Sequence, residues 1–330
     1  MVNVNFKRVA VASLTAVADA IRDKARISGS LVFPNGFIQA IEEMDAGGDT
    51  YGATMITGTQ TVYKSNFAGE VPRYAFYRNP IIKLELPNAT SLGNYSCGRM
   101  TLTEISIPNV DAFGEYAFYL SHVDDYGDLS KVETVGQYCF SGASASDMSG
   151  SSNCDLVLEN ATSIGSYACQ YSVHRAIAFL SAENIRNYMF RGAQATGVLI
   201  PAAVTIGQYA FQLANLGSSI LTIPRTVTTL NQYSFAQIKC GKIVFEGQVP
   251  TIPAYCFYQI GYTTGVPRYY DFSNCTTIPT LSNVNAFNGI NNNTSNIVVP
   301  DELYDQWITT TNWSNSNIKS KIVKKSDYSG

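Results

Sequence analysis

The chain has 330 residues, 45% hydrophobic and 14% charged, with a formal net charge of -3. That is enough length and apolar content for a sizeable core, and it excludes wholesale disorder. Lysines and arginines are scattered along the sequence, which excludes an obvious footprint for gripping nucleic acid, and no apolar run reaches the roughly 18 residues needed for membrane insertion.

Residues 1–50 form the first unit. "SLTAVADAIRDKARISGS" and "NGFIQAIEEM" read as two short helices, because Leu14, Val17, Ala18 and Ile21 fall at i, i+3, i+4 and i+7, and Phe37, Ile41 and Met44 supply apolar positions on the second. "KRVAVASLTAVADAIRDKA" also has the basic pair and mildly apolar run of a secretory signal, but the stripe favours the helix. Helices this short need a packing partner, so the unit is expected to serve attachment or oligomerisation. "DAGGDTYG" then marks a flexible joint.

Residues 51–296 repeat at steps of about 21 residues. Tyr74, Tyr95, Tyr116, Tyr138, Tyr167, Tyr188, Tyr209, Tyr233 and Tyr255 mark successive copies, and Asn285 holds the same slot in a tenth. Two residues later comes Phe or Cys: Phe76, Cys97, Phe118, Phe140, Cys169, Phe190, Phe211, Phe235, Phe257 and Phe287, with an almost always small residue between. Gly93, Gly114, Gly136, Gly165 and Gly207 lie two residues before a tyrosine, where positive φ or close backbone approach is expected. Upstream of each phrase, segments such as "LELP", "ISIP", "LTIP" and "IVFE" alternate with period two, so each copy predicts one short strand, a turn and an aromatic return. A unit this small cannot bury its own apolar face, so stacked copies are expected to bury a column of Leu, Ile, Tyr and Phe. Strands about 4.8 Å apart make ten coils roughly 48 Å long. Two longer steps contain "SGASASDMSGSSNC" (141–154) and "GYTTGVPRYYDF" (261–272), read as surface insertions that serve either binding or nothing.

Residues 297–330 form the last unit. "PDELYDQWITT" places Leu303, Tyr304, Trp307 and Ile308 on one side of an expected capping helix, which makes Trp307 and Trp313 cap core rather than a sugar platform.

The phrases "IPAAVTIGQYAF" (200–211) and "IPRTVTTLNQYSF" (223–235) resemble the BspA-like leucine-rich repeat. The resemblance implies a curved solenoid with a parallel strand per repeat, as in bacterial surface proteins and phage tail proteins. The N-terminal and C-terminal units also resemble segments that flank such arrays in chains from gut bacteria and their phages.

Catalytic chemistry is poorly supplied. His122 and His174 lie in different repeats and read as ordinary surface or loop residues. No nucleophile elbow, Walker loop or dinucleotide fingerprint occurs, and the acidic run "HVDDYGDLS" does not fit a calcium-loop spacing. No cofactor or metal is expected. Seven cysteines without a CxxC pair exclude an evident disulfide framework; Cys97, Cys139, Cys169 and Cys256 fall in repeat slots, whereas Cys154, Cys240 and Cys275 have no assigned place. Asn88 and Asn160, though in glycosylation triplets, read as turn or ladder residues.

The candidate ligand-binding residues are strand positions facing away from the core: Lys83, Glu85, Ser106, Thr222, Tyr269 and Asp271. The expected function is non-enzymatic: a phage tail or baseplate protein that binds a host-surface glycan or protein. It would be held in the virion through residues 1–50 as a homo-oligomer, with a trimer favoured. The alternatives are a secreted bacterial adhesin, at the cell surface, and a structural virion spacer.

Overall fold

The computed structural model describes residues 62–142, 155–249, 251–259, 267–290 and 294–328. The expected helical unit and joint, Cys154, most of the first insertion (143–154) and the start of the second (260–266) lie outside the described residues.

The described chain is a parallel-strand solenoid of about 11 turns. The alternating segments form a first ladder in three sheets. Val62–Lys64, Lys83–Glu85 and Glu104–Ser106 make one; Leu156–Leu158, Ile177–Phe179 and Val198–Leu199 make the next. The third joins Ile220–Ile223, Lys242–Phe245, Tyr269–Asp271, Asn296–Val299 and Ile322–Lys324. Register follows the period-two pattern, with buried Leu221, Ile243, Tyr270, Ile297 and Ile322 aligned in one row. Fully burying each such side chain stabilises by about 1.5–3 kcal/mol.

One strand per repeat was expected, but a coil can carry more. The segment just before the tyrosine phrase forms a second parallel ladder, as in Asn184–Ile185, Thr205–Ile206 and Thr229–Leu230. A third is made by Thr101–Leu102 with His122–Val123, then by single bridges linking Val173, Gln194, Asn215 and Lys239. Strands of two residues are too short to show alternation, so only their pairing reveals them. The second insertion is likewise shorter than expected: Tyr269–Asp271 is a regular strand of the first ladder.

The tyrosine phrase is a pair of tight turns bonded to the coil that follows. Tyr74 N donates to Asn94 O (3.1 Å), Phe76 N to Ser96 O (2.7 Å) and Arg78 N to Gly98 O (2.9 Å), and later coils repeat this pattern. Every tyrosine from Tyr74 to Tyr255 in the series has positive φ, between 55° and 62°. Four residues on, Arg78, Arg99, Leu120, Tyr171, Leu213 and Gln237 do too. The preceding glycines serve close approach instead: a Cβ on Gly207 would meet Ile185 O, Arg186 C and Asn187 N at 2.7 Å, and one on Gly136 would meet Glu115 N at 2.5 Å.

The tyrosines do not join the buried column as expected. The phenylalanines are buried, with Phe190, Phe211, Phe235 and Phe257 stacked at 5.0–5.5 Å, while the tyrosines stand half-buried or exposed along one edge. Cys97, Cys139, Cys169, Cys240, Cys256 and Cys275 are all buried free thiols. Burial pushes Cys97, Cys240 and Cys256 up to about 12 and Cys275 to about 11, so they pack as small apolar groups. Asn88 Nδ2 donates to Asn66 O (3.1 Å) and Asn160 Nδ2 to Ser130 O (2.7 Å), each tying its coil to the one before.

The helical C-terminal cap is not found. Tyr304–Trp307 and Ser316–Lys319 are four-residue turns, and Ile322–Lys324 pairs parallel to Asn296–Val299, which carries the ladder one strand further. Trp307 and Trp313 are fully buried and pack against Phe272, and Trp313 also against Phe287; its Nε1 donates to Pro279 O (2.8 Å). Lys321, Lys324 and Lys325 lie along the last strand, and lysines on an edge oppose further pairing.

Candidate functional site

Two outward surfaces carry polar chemistry. The first is the face of the first ladder, where all six candidate residues lie, although not as one cluster. In the early coils Lys64 pairs with Glu85 (2.8 Å) and Lys83 with Glu104 (2.8 Å); Ser106 sits beside Glu85 in register. The lysines hold the Glu85 carboxyl below its ordinary value, chiefly through Lys64. In the late coils Thr222, Val244 and Asp271 share a row.

Asp271, expected to face solvent, is only 6% exposed. Its carboxylate meets Lys242 Nζ at 3.0 Å and accepts from Ser273 N (3.0 Å); against the upward push of burial, these partners hold it below the ordinary aspartate value. Tyr328 packs on Tyr269, ring centres 4.4 Å apart, and Lys242 lies 4.6 Å from the Tyr328 ring, so the terminal segment covers this patch. Between the two patches the outward positions turn apolar, with Val157, Leu199 and Ile220 exposed.

The second surface is the tyrosine edge. Successive rings from Tyr74 to Tyr255 stack with centroids 4.5–5.0 Å apart and planes within 2–21° of parallel. Such pairs each contribute about 0.5–1.5 kcal/mol beyond area burial, which offsets the roughly 1–2 kcal/mol cost of positive φ at each tyrosine. Burial, then neighbouring phenols, push Tyr95, Tyr116 and Tyr233 above the ordinary tyrosine value, so they remain hydroxyl donors at neutral pH. Five arginines lie along it: Arg73, Arg78, Arg99, Arg186 and Arg191 all fall within four residues of a ladder tyrosine. Only Arg78 and Arg99 recur at the repeat interval; Arg73, Arg186 and Arg191 take other slots, so little in the sequence announced the grouping.

One histidine differs from expectation. His122 is half-buried at the surface and meets Asp124 Oδ1 at 2.8 Å, but His174 is buried, with Nε2 3.4 Å from the Tyr126 hydroxyl and Nδ1 without a hydrogen bond. Burial pushes His174 down to about 4. In the acidic run, Asp125 Oδ1 accepts from Gly127 N (2.8 Å) and Asp128 Oδ1 from Ser130 N (2.9 Å), so both carboxylates close turns. Among the described residues no group of His, Cys, Asp or Glu could hold a metal ion, and no helix is long and apolar enough to cross a membrane.

A family model described as "BspA type Leucine rich repeat region" matches six copies, over residues 69–195, 151–263 and 183–319. The chain belongs to this family. Curated proteins yield no match to it. Repeats of the BspA type suggest a surface adhesin or binding protein, and a leucine-rich-repeat solenoid is typically a binding scaffold rather than a catalyst.

Proposed function

We propose that this BspA type solenoid is a host-recognition protein of a phage tail or baseplate, which binds a cell-surface glycan or protein without catalysis. The observation that supports recognition is the periodicity of the half-buried tyrosine edge, where the same hydroxyl-bearing ring recurs at every coil from Tyr74 to Tyr255. Weak contacts repeated along one solenoid, and again over copies fixed on one particle, add up to strong attachment. The virion assignment rests on the resemblance of the flanking segments. In it, residues 1–50 join the chain to other tail proteins and to its own copies, a trimer being favoured, and the chain, made in the host cytoplasm, ends in the particle.

Immunogold labelling of virions with antibody against residues 51–330, together with binding of the fluorescently labelled full chain to host cells, tests both halves. Label on the tail and saturable cell binding are expected; label without cell binding would mean a structural spacer. The family match gives weight to a second reading, a secreted adhesin. A mature chain starting near Ala20 by N-terminal sequencing would favour it.

A further inference from the structure

We propose that the tyrosine edge is the recognition surface itself and that its occupant is a linear, carboxylate-bearing polysaccharide, a polyuronate lying lengthwise across successive coils. This rests on the surface-recognition reading and names its face and ligand class.

Charge is the first argument. From two residues before each ladder tyrosine to four after, the chain places Arg73, Arg78, Arg99, Arg186 and Arg191 but a single acid, Glu115, and no lysine or aspartate. A protein with a net charge of -3 therefore carries two cationic groups on one edge, at the coils of Tyr74 and Tyr95 and at the coil of Tyr188.

Availability is the second. Arg73, Arg78, Arg99 and Arg186 are exposed, and among the described residues none of the five is in an ion pair. Four cations elsewhere are paired, Lys64 with Glu85, Lys83 with Glu104, Arg175 with Asp155 and Lys242 with Asp271. Three of the edge arginines rest on aromatic faces instead: the Arg73 guanidinium is 4.8 Å from the Tyr74 ring centre, Arg78 5.6 Å from Tyr77 and Arg191 5.6 Å from Tyr171. Rings and neutral partners orient a guanidinium without cancelling its charge: Arg73 Nη2 donates to the Tyr74 hydroxyl (3.2 Å) and Arg191 Nε to Gln212 Oε1 (2.9 Å), so their remaining N–H groups, with those of Arg78, are left for a carboxylate.

Ring packing then decides the class of polymer. Nucleic-acid bases need a free aromatic face to stack on. Each ring from Tyr95 to Tyr233 in the ladder has a neighbour stacked on both faces at 4.5–5.0 Å, so only edges and hydroxyls remain. Gln137, Gln170, Gln208 and Gln232 flank the ladder with neutral amides. Hydroxyls and amides at regular intervals match the ring hydroxyls of a sugar chain, and the two arginine groups hold its carboxylates.

Binding of the full chain to polygalacturonate oligomers, to the same oligomers with their carboxyls methyl-esterified, and to an oligothymidylate of equal charge tests the proposal. The acid form is expected to bind, with affinity that falls as salt rises, and the ester roughly tenfold more weakly. R73Q/R78Q/R99Q and R186Q/R191Q should each weaken binding by roughly tenfold, whereas R225Q/R268Q, away from the edge, should leave it within about twofold. If a glutamine set lowers the melting temperature, the matching Arg→Lys set keeps the charge and should restore at least part of the affinity. No binding of the acid form, equal binding of the ester, tighter binding of oligothymidylate, or unchanged affinity in both edge variants overturns it. Edge variants that lose polygalacturonate but bind host cells normally also overturn it while leaving surface recognition standing. A wild-type chain that binds polygalacturonate but no host cell sinks the recognition reading alone.

Discussion

Two columns of aromatic rings run through the same coils, two residues apart in sequence, yet they obey different rules. The inner column, Phe76 to Phe287, is buried and admits Cys97 and Cys169 in place of phenylalanine. The outer column is tyrosine without exception from Tyr74 to Tyr255, and Asn285 extends it by donating to the Tyr255 hydroxyl (3.3 Å). Volume governs the inner positions, since a smaller side chain there can be accommodated by neighbours. Backbone geometry and an outward edge govern the outer ones, where a tyrosine is kept despite positive φ.

Truncating the inner column should have the largest effect. Phe211 is fully buried between Phe190 and Phe235, so Phe211→Ala should lower the unfolding free energy by about 3–5 kcal/mol, measured by chemical denaturation. Tyr209→Ala, on the outer column of the same coil, should cost clearly less; equal losses would erase the distinction between the columns.

Next is the buried histidine beside the inner column. His174 packs edge-on to Phe140 and close to Tyr126, with Asp155 and His122 the other ionisable groups acting on it. Folded, it takes up its proton at about 4; unfolded, near 6.5. Between those values the unfolded chain binds more protons, so stability present above pH 6.5 is lost as pH falls towards 4, by up to about 3 kcal/mol. Melting of His174→Gln compared with wild type from pH 7 to 4.5 should show wild type losing more; parallel curves would remove the effect.

Third comes the close approach beneath the outer column. A Cβ on Gly207 would press on backbone atoms of the preceding coil, so Gly207→Ala should destabilise by about 1–3 kcal/mol. Gly197, whose Cβ position is open, is its control, and Gly197→Ala should be near neutral.

The repeat and its strand were legible because period-two alternation and a recurring Tyr-x-Phe need no knowledge of what lies beside them. The exposure of the tyrosines was not: in an extended chain residues two apart share a face, so Tyr209 and Phe211 should have been buried together. Positive φ at Tyr209 breaks that rule, and φ cannot be read from a residue type that rarely adopts it. The same holds for His174, whose burial depends on Tyr126, 48 positions away in sequence, and for arginines that meet only when coils stack. Asp271 was misplaced because Tyr328, which covers its patch, lies beyond the expected capping helix, on a stretch for which no fold-back was expected.

Glycine scanning separates the columns with the smallest but sharpest effect. At most buried positions glycine is worse than alanine by about 0.5–1 kcal/mol, because it gives up more backbone freedom on folding. Phe211→Gly should follow that order and fall below Phe211→Ala. At Tyr209, where φ is 56°, alanine keeps the strain of the left-handed region and glycine does not, so Tyr209→Gly should exceed Tyr209→Ala in stability by about 1 kcal/mol. The order should invert again at Tyr188 and Tyr233, whose φ is 59° at both. Glycine below alanine at all three tyrosines would mean that the ladder is kept for ring stacking alone, and that the backbone conformation merely follows it.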